Sequence, residues 1–84
     1  MDDHLSTEQL GWVLESSPAT IRDRIKAGEI EGVRLPSGFR VPKGEVLRLA
    51  RERVEAEAGR TVSDKQLERL IDQVIATNEQ ATSG

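Results

Sequence analysis

The chain has 84 residues with a formal net charge of −3, which is enough for one small domain and too few for two. It contains no cysteine and a single histidine, His4, so a disulfide framework, a thiolate metal site and a histidine-rich metal site are excluded. No run approaches the about 18 apolar residues of a membrane span and the N-terminus lacks the basic-then-apolar order of a signal peptide, so we predict a cytoplasmic protein.

The first predicted element is a short helix that begins after Ser6. Ser6 is a favourable N-cap, and Gln9 follows it at capping-box spacing, so that each residue satisfies a backbone donor of the other. Three apolar residues of this helix then fall on one face: Leu10, Val13 and Leu14.

A second short helix is predicted over residues 18–27. Ser17 is its N-cap and a proline stands at its first position, where the missing donor costs nothing. Ile21 and Ile25, four residues apart, form its buried stripe, and Gly28 lies where the chain leaves the helix. Two short helices separated by about three residues indicate a helix-turn-helix.

A β-hairpin is predicted next, from strands at Val33–Leu35 and Phe39–Val41. The intervening "PSG" suits a three-residue loop with Gly38 in the left-handed region. We expect the apolar residues of both strands to face the core, so that Arg34 and Arg40 share the opposite face of a small wing.

Two longer helices complete the predicted fold. The third begins at Pro42 and ends at Gly59, with Val46, Leu49, Ala50 and Val54 at helical spacing. The fourth is capped by Ser63 and is strongly amphipathic. Its apolar stripe consists of Leu67, Leu70, Ile71, Val74 and Ile75.

Trp12 and this apolar stripe form a predicted packing or partner surface. Trp12 points away from the Leu10–Leu14 face, and the fourth helix needs cover for its stripe. Either Trp12 packs on Leu67, Leu70 or Ile71 within one chain, or one of these surfaces binds a second protomer or another protein.

The charges are segregated along the chain. Residues 1–17 carry four acidic and no basic side chains, residues 18–51 carry eight basic against four acidic, and residues 52–84 carry four basic against seven acidic. Since screening limits each charge to a range of about 10 Å at moderate salt, the basic middle can attract phosphate despite the negative total.

The run "LSTEQLGWVLESSPATIRDRIKAGEIEGVRLPSGFRVPKGEVLRL" resembles the excisionase-type, MerR-like winged helix-turn-helix DNA-binding family over about residues 5–50. The residues that carry the resemblance are Leu5, Leu10, Leu14, Ser17, Thr20, Ile21, Arg22, Ile25, Gly28, Ile30, Val33, Arg34, Leu35, Phe39, Arg40, Val41 and Pro42. The chain departs from the family at the inter-helix turn, which is Glu15-Ser16-Ser17 in place of a Gly-Val-Ser-like sequence, at the "PSG" wing tip, and at Asp23, a position that is frequently basic.

With Ile21 and Ile25 facing inward, the outer face of the second helix is predicted to contact DNA. Arg22 suits guanine or phosphate, Thr20 suits either, and Asp23 suits cytosine or the positioning of a neighbouring cation. The helix N-terminus and the wing are expected to contact phosphates. The complete set of predicted DNA contacts is Ser17, Ala19, Thr20, Arg22, Asp23, Arg24, Lys26, Arg34, Ser37, Arg40 and Lys43.

No enzymatic pattern stands out. The sequence lacks a Ser/His/Asp or Cys/His set, a glycine-rich phosphate loop and a metal-spaced cluster, so we predict a protein that is not an enzyme and that uses no cofactor or metal.

The predicted fold class is therefore mostly α with a small β-hairpin wing, a winged helix-turn-helix with an extra C-terminal amphipathic helix. We expect the DNA-binding domain at 1–58, the amphipathic helix at 59–78 and a flexible tail at 79–84. The resemblance favours an excisionase, which binds side by side at an attachment site and bends the DNA for an integrase. The expected partners are double-stranded DNA and an integrase or another DNA-bound protein, with self-association as a dimer or head-to-tail array on DNA. A MerR-like transcription regulator on an operator, and a protein-interaction module that has lost DNA binding, are the alternatives.

Overall fold

Short helices and one small sheet make up the first half of the chain, and two longer helices make up the second. The computed structural model describes residues 2–83. In chain order the elements are β1 (His4–Ser6), α1 (Thr7–Leu14), α2 (Pro18–Lys26), β2 (Val33–Leu35), β3 (Gly38–Pro42), α3 (Lys43–Ala58) and α4 (Asp64–Ser83). The prediction of a mostly helical chain with a small antiparallel hairpin is confirmed. Within residues 2–83, no helix combines the length and the apolar character needed to cross a bilayer.

The N-terminal caps of α1 and α2 form as predicted. Ser6 Oγ accepts a hydrogen bond from the Gln9 amide, and the Gln9 side chain accepts one from the Ser6 amide. At the start of α2, Ser17 Oγ accepts a hydrogen bond from the Thr20 amide, and Pro18 occupies the first position. These caps depend on residues only three positions apart, which is why sequence spacing was sufficient to predict them.

The turn between α1 and α2 is tight. Glu15 ends α1 in the left-handed region at φ 54°, and the Ser16 amide donates a 2.9 Å hydrogen bond to the carbonyl oxygen of Gly11. Gly11 is buried, and a Cβ atom there would overlap the carbonyl oxygen of Ser16. The close approach of the two helices therefore requires glycine at position 11.

The sheet has one strand more than the sequence predicted. Its order is β1-β3-β2, so β3 is central and antiparallel to both neighbours. β1 pairs Leu5 with Val41, and both side chains are fully buried. The Lys43 amide extends this pairing by donating to the Asp3 carbonyl oxygen at 2.8 Å. The N-terminal segment is therefore part of the sheet.

The predicted facing of β2 was wrong, whereas Val41 of β3 is buried as expected. Leu35 pairs with Gly38, so the loop has two residues where three were expected, and the register places Arg34 opposite Phe39 and Val33 opposite Arg40. Because opposed residues share a face, Arg34 and Arg40 lie on opposite faces of the sheet. Val33 and Leu35, expected in the core, are 46% and 42% exposed. A change of one residue in loop length reverses the facing of the whole β2 strand.

The core lies where α1 and α3 meet one face of the sheet and α4 packs against both of these helices. Contacts join α1 to α2, α3 and α4, and both α1 and α3 to β3. The buried apolar residues are Leu5, Leu10, Leu14, Ile21, Ile30, Val41, Val46, Leu49, Ala50, Val62, Leu67 and Ile71. Since Leu67 and Ile71 belong to α4, this helix packs on the N-terminal elements of the same chain.

The α4 helix is longer than predicted. Ser63 caps it as expected, since its Oγ accepts a hydrogen bond from the Gln66 amide, but the helix continues through Ser83 where an end at residue 78 was predicted. No glycine or proline interrupts the segment before Gly84, and the Asn78 side chain donates to the carbonyl oxygen of Val74. The predicted boundary was therefore wrong. Gly84, the end of the predicted tail, and Met1 lie outside the described residues.

Candidate nucleic-acid interface

The α2 helix is attached to the protein by one narrow face. Ile21 is fully buried and Ile25 packs partly buried against the core. Ala19, Thr20, Arg22, Asp23 and Lys26 are all exposed, as the helical spacing predicted. The short helix therefore presents most of its surface to solvent.

The N-terminus of α2 is organised by two hydroxyl groups. Ser17 Oγ and Thr20 Oγ1 lie 3.0 Å apart and share a hydrogen bond, in addition to the cap between Ser17 Oγ and the Thr20 amide at 3.2 Å. Both residues are exposed. The side chain of Thr20 is thus held at the end of the helix, beside the positive pole of the helix dipole.

Two cations of α2 are free of acidic partners. Within residues 2–83, Arg22 and Lys26 form no ion pair with a carboxylate, and Asp23 between them pairs with neither. Arg24 differs, because it lies nearer the core and its Nε is 4.0 Å from a Glu29 oxygen. The predicted alternative in which Asp23 holds a neighbouring cation is therefore not formed in this structure.

The arginines of α3 are, by contrast, paired within the protein. Arg48 binds Glu45 at 2.7 Å, Arg51 binds Asp64, and Arg53 binds Glu15 at 2.5 Å. The Arg53 guanidinium also donates to the carbonyl oxygen of Leu14 at 2.7 Å, which joins α3 to the end of α1. Arg51 and Arg53 thus join α3 to neighbouring segments, and Arg48 pairs within α3 itself.

The hairpin holds its two arginines differently. Arg34 lies over the ring of Phe39, with 6.0 Å from its guanidinium carbon to the ring centroid. Arg40, on the other face, donates to the Phe39 carbonyl oxygen at 2.9 Å and to Ser37 Oγ at 3.4 Å. Both keep guanidinium donors for a further acceptor, but the structure does not bring them to one surface of the sheet.

Lys43 is engaged in the protein. Its ammonium group forms an ion pair with Glu68 of α4, and this hydrogen bond raises the pKa of Lys43 and lowers the pKa of the Glu68 carboxyl. The contact joins the start of α3 to α4. Among the predicted DNA contacts, Lys43 therefore has a structural partner that the sequence did not indicate.

A second unpredicted feature fixes the segment between α2 and the hairpin. The Glu45 carboxylate of α3 accepts a 2.8 Å hydrogen bond from the Glu31 amide and two from the Arg48 guanidinium, at 2.7 and 2.8 Å. The Arg48 hydrogen bonds, aided by the Glu31 amide, outweigh the effect of burial and lower the pKa of Glu45. The i,i+3 spacing of Glu45 and Arg48 was visible in the sequence. The hydrogen bond that the Glu45 carboxylate accepts from the Glu31 backbone amide was not.

The residues of the predicted packing surface differ in how far they are buried. Leu67 and Ile71 are buried, Val74 and Ile75 are half-buried, and Leu70 is exposed. Trp12 is half-buried, and it is Val13, not Trp12, that lines a cavity together with Leu67, Leu70, Ile71 and Val74. The stripe is thus covered mainly within the chain, while Leu70 stays at its margin.

No protein-family model, curated protein or solved structure matches the chain. The resemblance drawn from residues 5–50 therefore remains a prediction.

Proposed function

We propose that this protein binds double-stranded DNA as a winged helix-turn-helix, with α2 in the major groove and the β2–β3 hairpin against the adjacent backbone. The observation that carries the proposal is the contrast between two sets of cations. Arg22 and Lys26 of α2 are exposed and have no carboxylate partner within residues 2–83, whereas the arginines of α3 are ion-paired. Unpaired cations on an exposed helix are available to phosphates and guanine edges.

The dimensions of α2 support insertion into a groove. Nine residues make a helix about 14 Å long, and a major groove about 12 Å wide admits an α-helix. The small side chain of Ala19 and the short hydroxyl side chain of Thr20 allow close approach at the N-terminal end. Arg22 and Lys26 follow with longer donors, an order suited to a recognition helix.

Within this proposal, the role we favour is that of an excisionase-type protein that bends attachment-site DNA for an integrase. The resemblance over residues 5–50 supports it, and a MerR-like transcription regulator is the alternative. Selecting bound fragments from the source genome separates these roles. Fragments from an attachment site beside an integrase gene support the first, and fragments that overlap promoters support the second.

The binding proposal itself is tested by titrating labelled duplex DNA at about 50 mM and about 200 mM salt. Arg22, Lys26, Arg34 and Arg40 offer at most four side-chain phosphate contacts, so log K should fall against log salt with a slope no steeper than about −4. No binding at the lower salt concentration would overturn the proposal and favour a protein-interaction module, for which Asp23 and the net charge of −3 are the supporting observations.

A matched pair of variants locates the surface. Arg22→Gln/Lys26→Gln should abolish most of the binding, because it removes both unpaired cations of α2. Arg60→Gln/Arg69→Gln removes the same charge from exposed residues near and on α4, and it should leave the affinity nearly unchanged. Equal losses in both variants would show that DNA is attracted only by total charge.

A further inference from the structure

A groove runs between the C-terminal half of α3 and α4. It consists of two adjoining cavities, of about 80 Å³ and about 320 Å³, which share Val54 and Leu70 as lining residues. The smaller cavity extends to Val13 of α1, and the larger reaches Val62 in the loop before α4. The groove is therefore elongated and lies between two helices.

The floor of this groove is apolar and reaches the surface. Leu67 and Ile71 are buried beneath it, whereas Leu70 is 44% exposed and Val54 and Val74 are half-buried. The smaller cavity is well below the about 300 Å³ at which ligand pockets begin, so it suits an inserted side chain rather than a small molecule.

The charged residues that line the groove are all arginines. They are Arg53, Arg60 and Arg69, and no carboxylate from residues 2–83 lines either cavity. Arg53 is paired with Glu15 and Glu57, but Arg60 and Arg69 are exposed and make no ion pair within the described chain. An apolar floor with unpaired cations at one end is complementary to an apolar partner that carries negative charge.

We propose that the α3–α4 groove docks an acidic amphipathic helix of another protein. A helix that lays residues i, i+3 or i+4 and i+7 into the groove would cover Leu70 and fill the smaller cavity, and its flanking carboxylates would pair with Arg60 and Arg69. A second copy of this chain is a poorer occupant. In a two-fold dimer the same patch meets itself, and because no carboxylate from residues 2–83 lines either cavity, the patch of one copy offers nothing to pair with Arg60 and Arg69 of the other. The inference does not depend on DNA binding.

The test uses a display library of helical peptides about 18 residues long, since shorter helices are marginal in water. Apolar residues are kept at i, i+4, i+7 and i+11, and the flanking positions are randomised among acidic, basic and neutral residues. Selection on the full chain should enrich Asp and Glu at the flanking positions. Enrichment of basic or neutral flanks, or no enrichment, would overturn the proposal.

The selected peptide is then titrated against matched variants by fluorescence anisotropy. Arg60→Glu/Arg69→Glu should weaken binding about tenfold or more, and a peptide with its acidic residues changed to Lys should recover affinity for that variant. Leu70→Gln should also weaken binding, and its exposure makes the substitution compatible with folding, which circular dichroism checks.

Arg22→Glu/Lys26→Glu is the control, because it reverses the same charge on α2. An equal loss of peptide binding in this variant would place the peptide elsewhere and overturn the proposal. A mass that rises to a dimer by light scattering, and returns to a monomer in Leu70→Gln, would make the groove a self-interface and also overturn it.

Discussion

Gly11 of α1 lies directly against the carbonyl group of Ser16, so that a Cβ atom at position 11 would overlap the Ser16 oxygen. The Ser16 amide in turn donates to the Gly11 carbonyl at 2.9 Å. This contact sets the tight turn from which α2 leaves, so the presentation of the proposed recognition helix depends on a residue that carries no functional group.

Replacing Gly11 with Ala should destabilise the protein by about 1–3 kcal/mol, because the added methyl group forces backbone atoms apart. Gly44→Ala is the matched control, since a Cβ atom there meets nothing within 4 Å. In the first turn of α3 it should stabilise by up to about 1 kcal/mol through helix propensity. Urea unfolding measures both changes, and a stabilising Gly11→Ala would show that the turn is less tight than described.

The two faces of the sheet differ in burial, and this difference gives a second prediction. Val41 is fully buried, so Val41→Ala should cost about 1–3 kcal/mol, whereas Val33→Ala on the exposed face should cost less than about 1 kcal/mol. Thermal unfolding of the two variants measures the difference. Equal losses would support the three-residue loop, in which Val33 also faces the core.

The hairpin shows which features of the fold the sequence did not predict. The caps at Ser6, Ser17 and Ser63 were predictable because each involves residues within one helical turn. Both "PSG" and the flanking strands were also identified, but loop length decides register, and a two-residue loop differs from a three-residue loop only in how Gly38 pairs. β1 was missed because its partner, β3, lies more than thirty positions away.

The candidate site divides in the same way. The exposed face of α2 follows from the spacing of Ile21 and Ile25, which is a local property. Whether a given cation is free depends on tertiary packing, because the carboxylate that pairs with Lys43 lies on α4. Sequence alone therefore predicted the α2 surface and overestimated the set of available cations.

The Glu45 carboxylate predicts a dependence of stability on pH. Its pKa is lowered in the folded protein by the hydrogen bonds from Arg48 and the Glu31 amide, and its side chain is 8% exposed. A carboxyl with a lowered folded pKa contributes stability above its unfolded pKa of about 4.3, and this contribution is lost as the pH falls through the folded pKa. The urea concentration at the unfolding midpoint should therefore decrease as the pH is lowered below about 4.5.

Glu45→Gln should make the urea midpoint less dependent on pH below about 4.5, and it should lower the urea midpoint at neutral pH. Glu52→Gln, which removes the exposed partner of the same Arg48, should change the neutral midpoint little. If the urea midpoint of Glu45→Gln decreases below about pH 4.5 as steeply as that of the unaltered protein, the pH dependence belongs to other carboxyls. Glu68 is then the first to examine, because its pKa is also lowered.

Arg22 and Lys43 were both predicted to contact DNA, but in the structure only Lys43 is paired with a carboxylate. Arg22 has no carboxylate partner within residues 2–83, so Arg22→Ala should lower the affinity for the preferred site by about 1–3 kcal/mol if it reads a base, with unfolding unchanged. Lys43 is paired with Glu68, so Lys43→Ala should leave DNA affinity nearly unchanged and lower stability. Anisotropy titrations with the selected fragment and parallel urea curves measure both. A larger loss of affinity in Lys43→Ala than in Arg22→Ala would move the interface from α2 toward the start of α3.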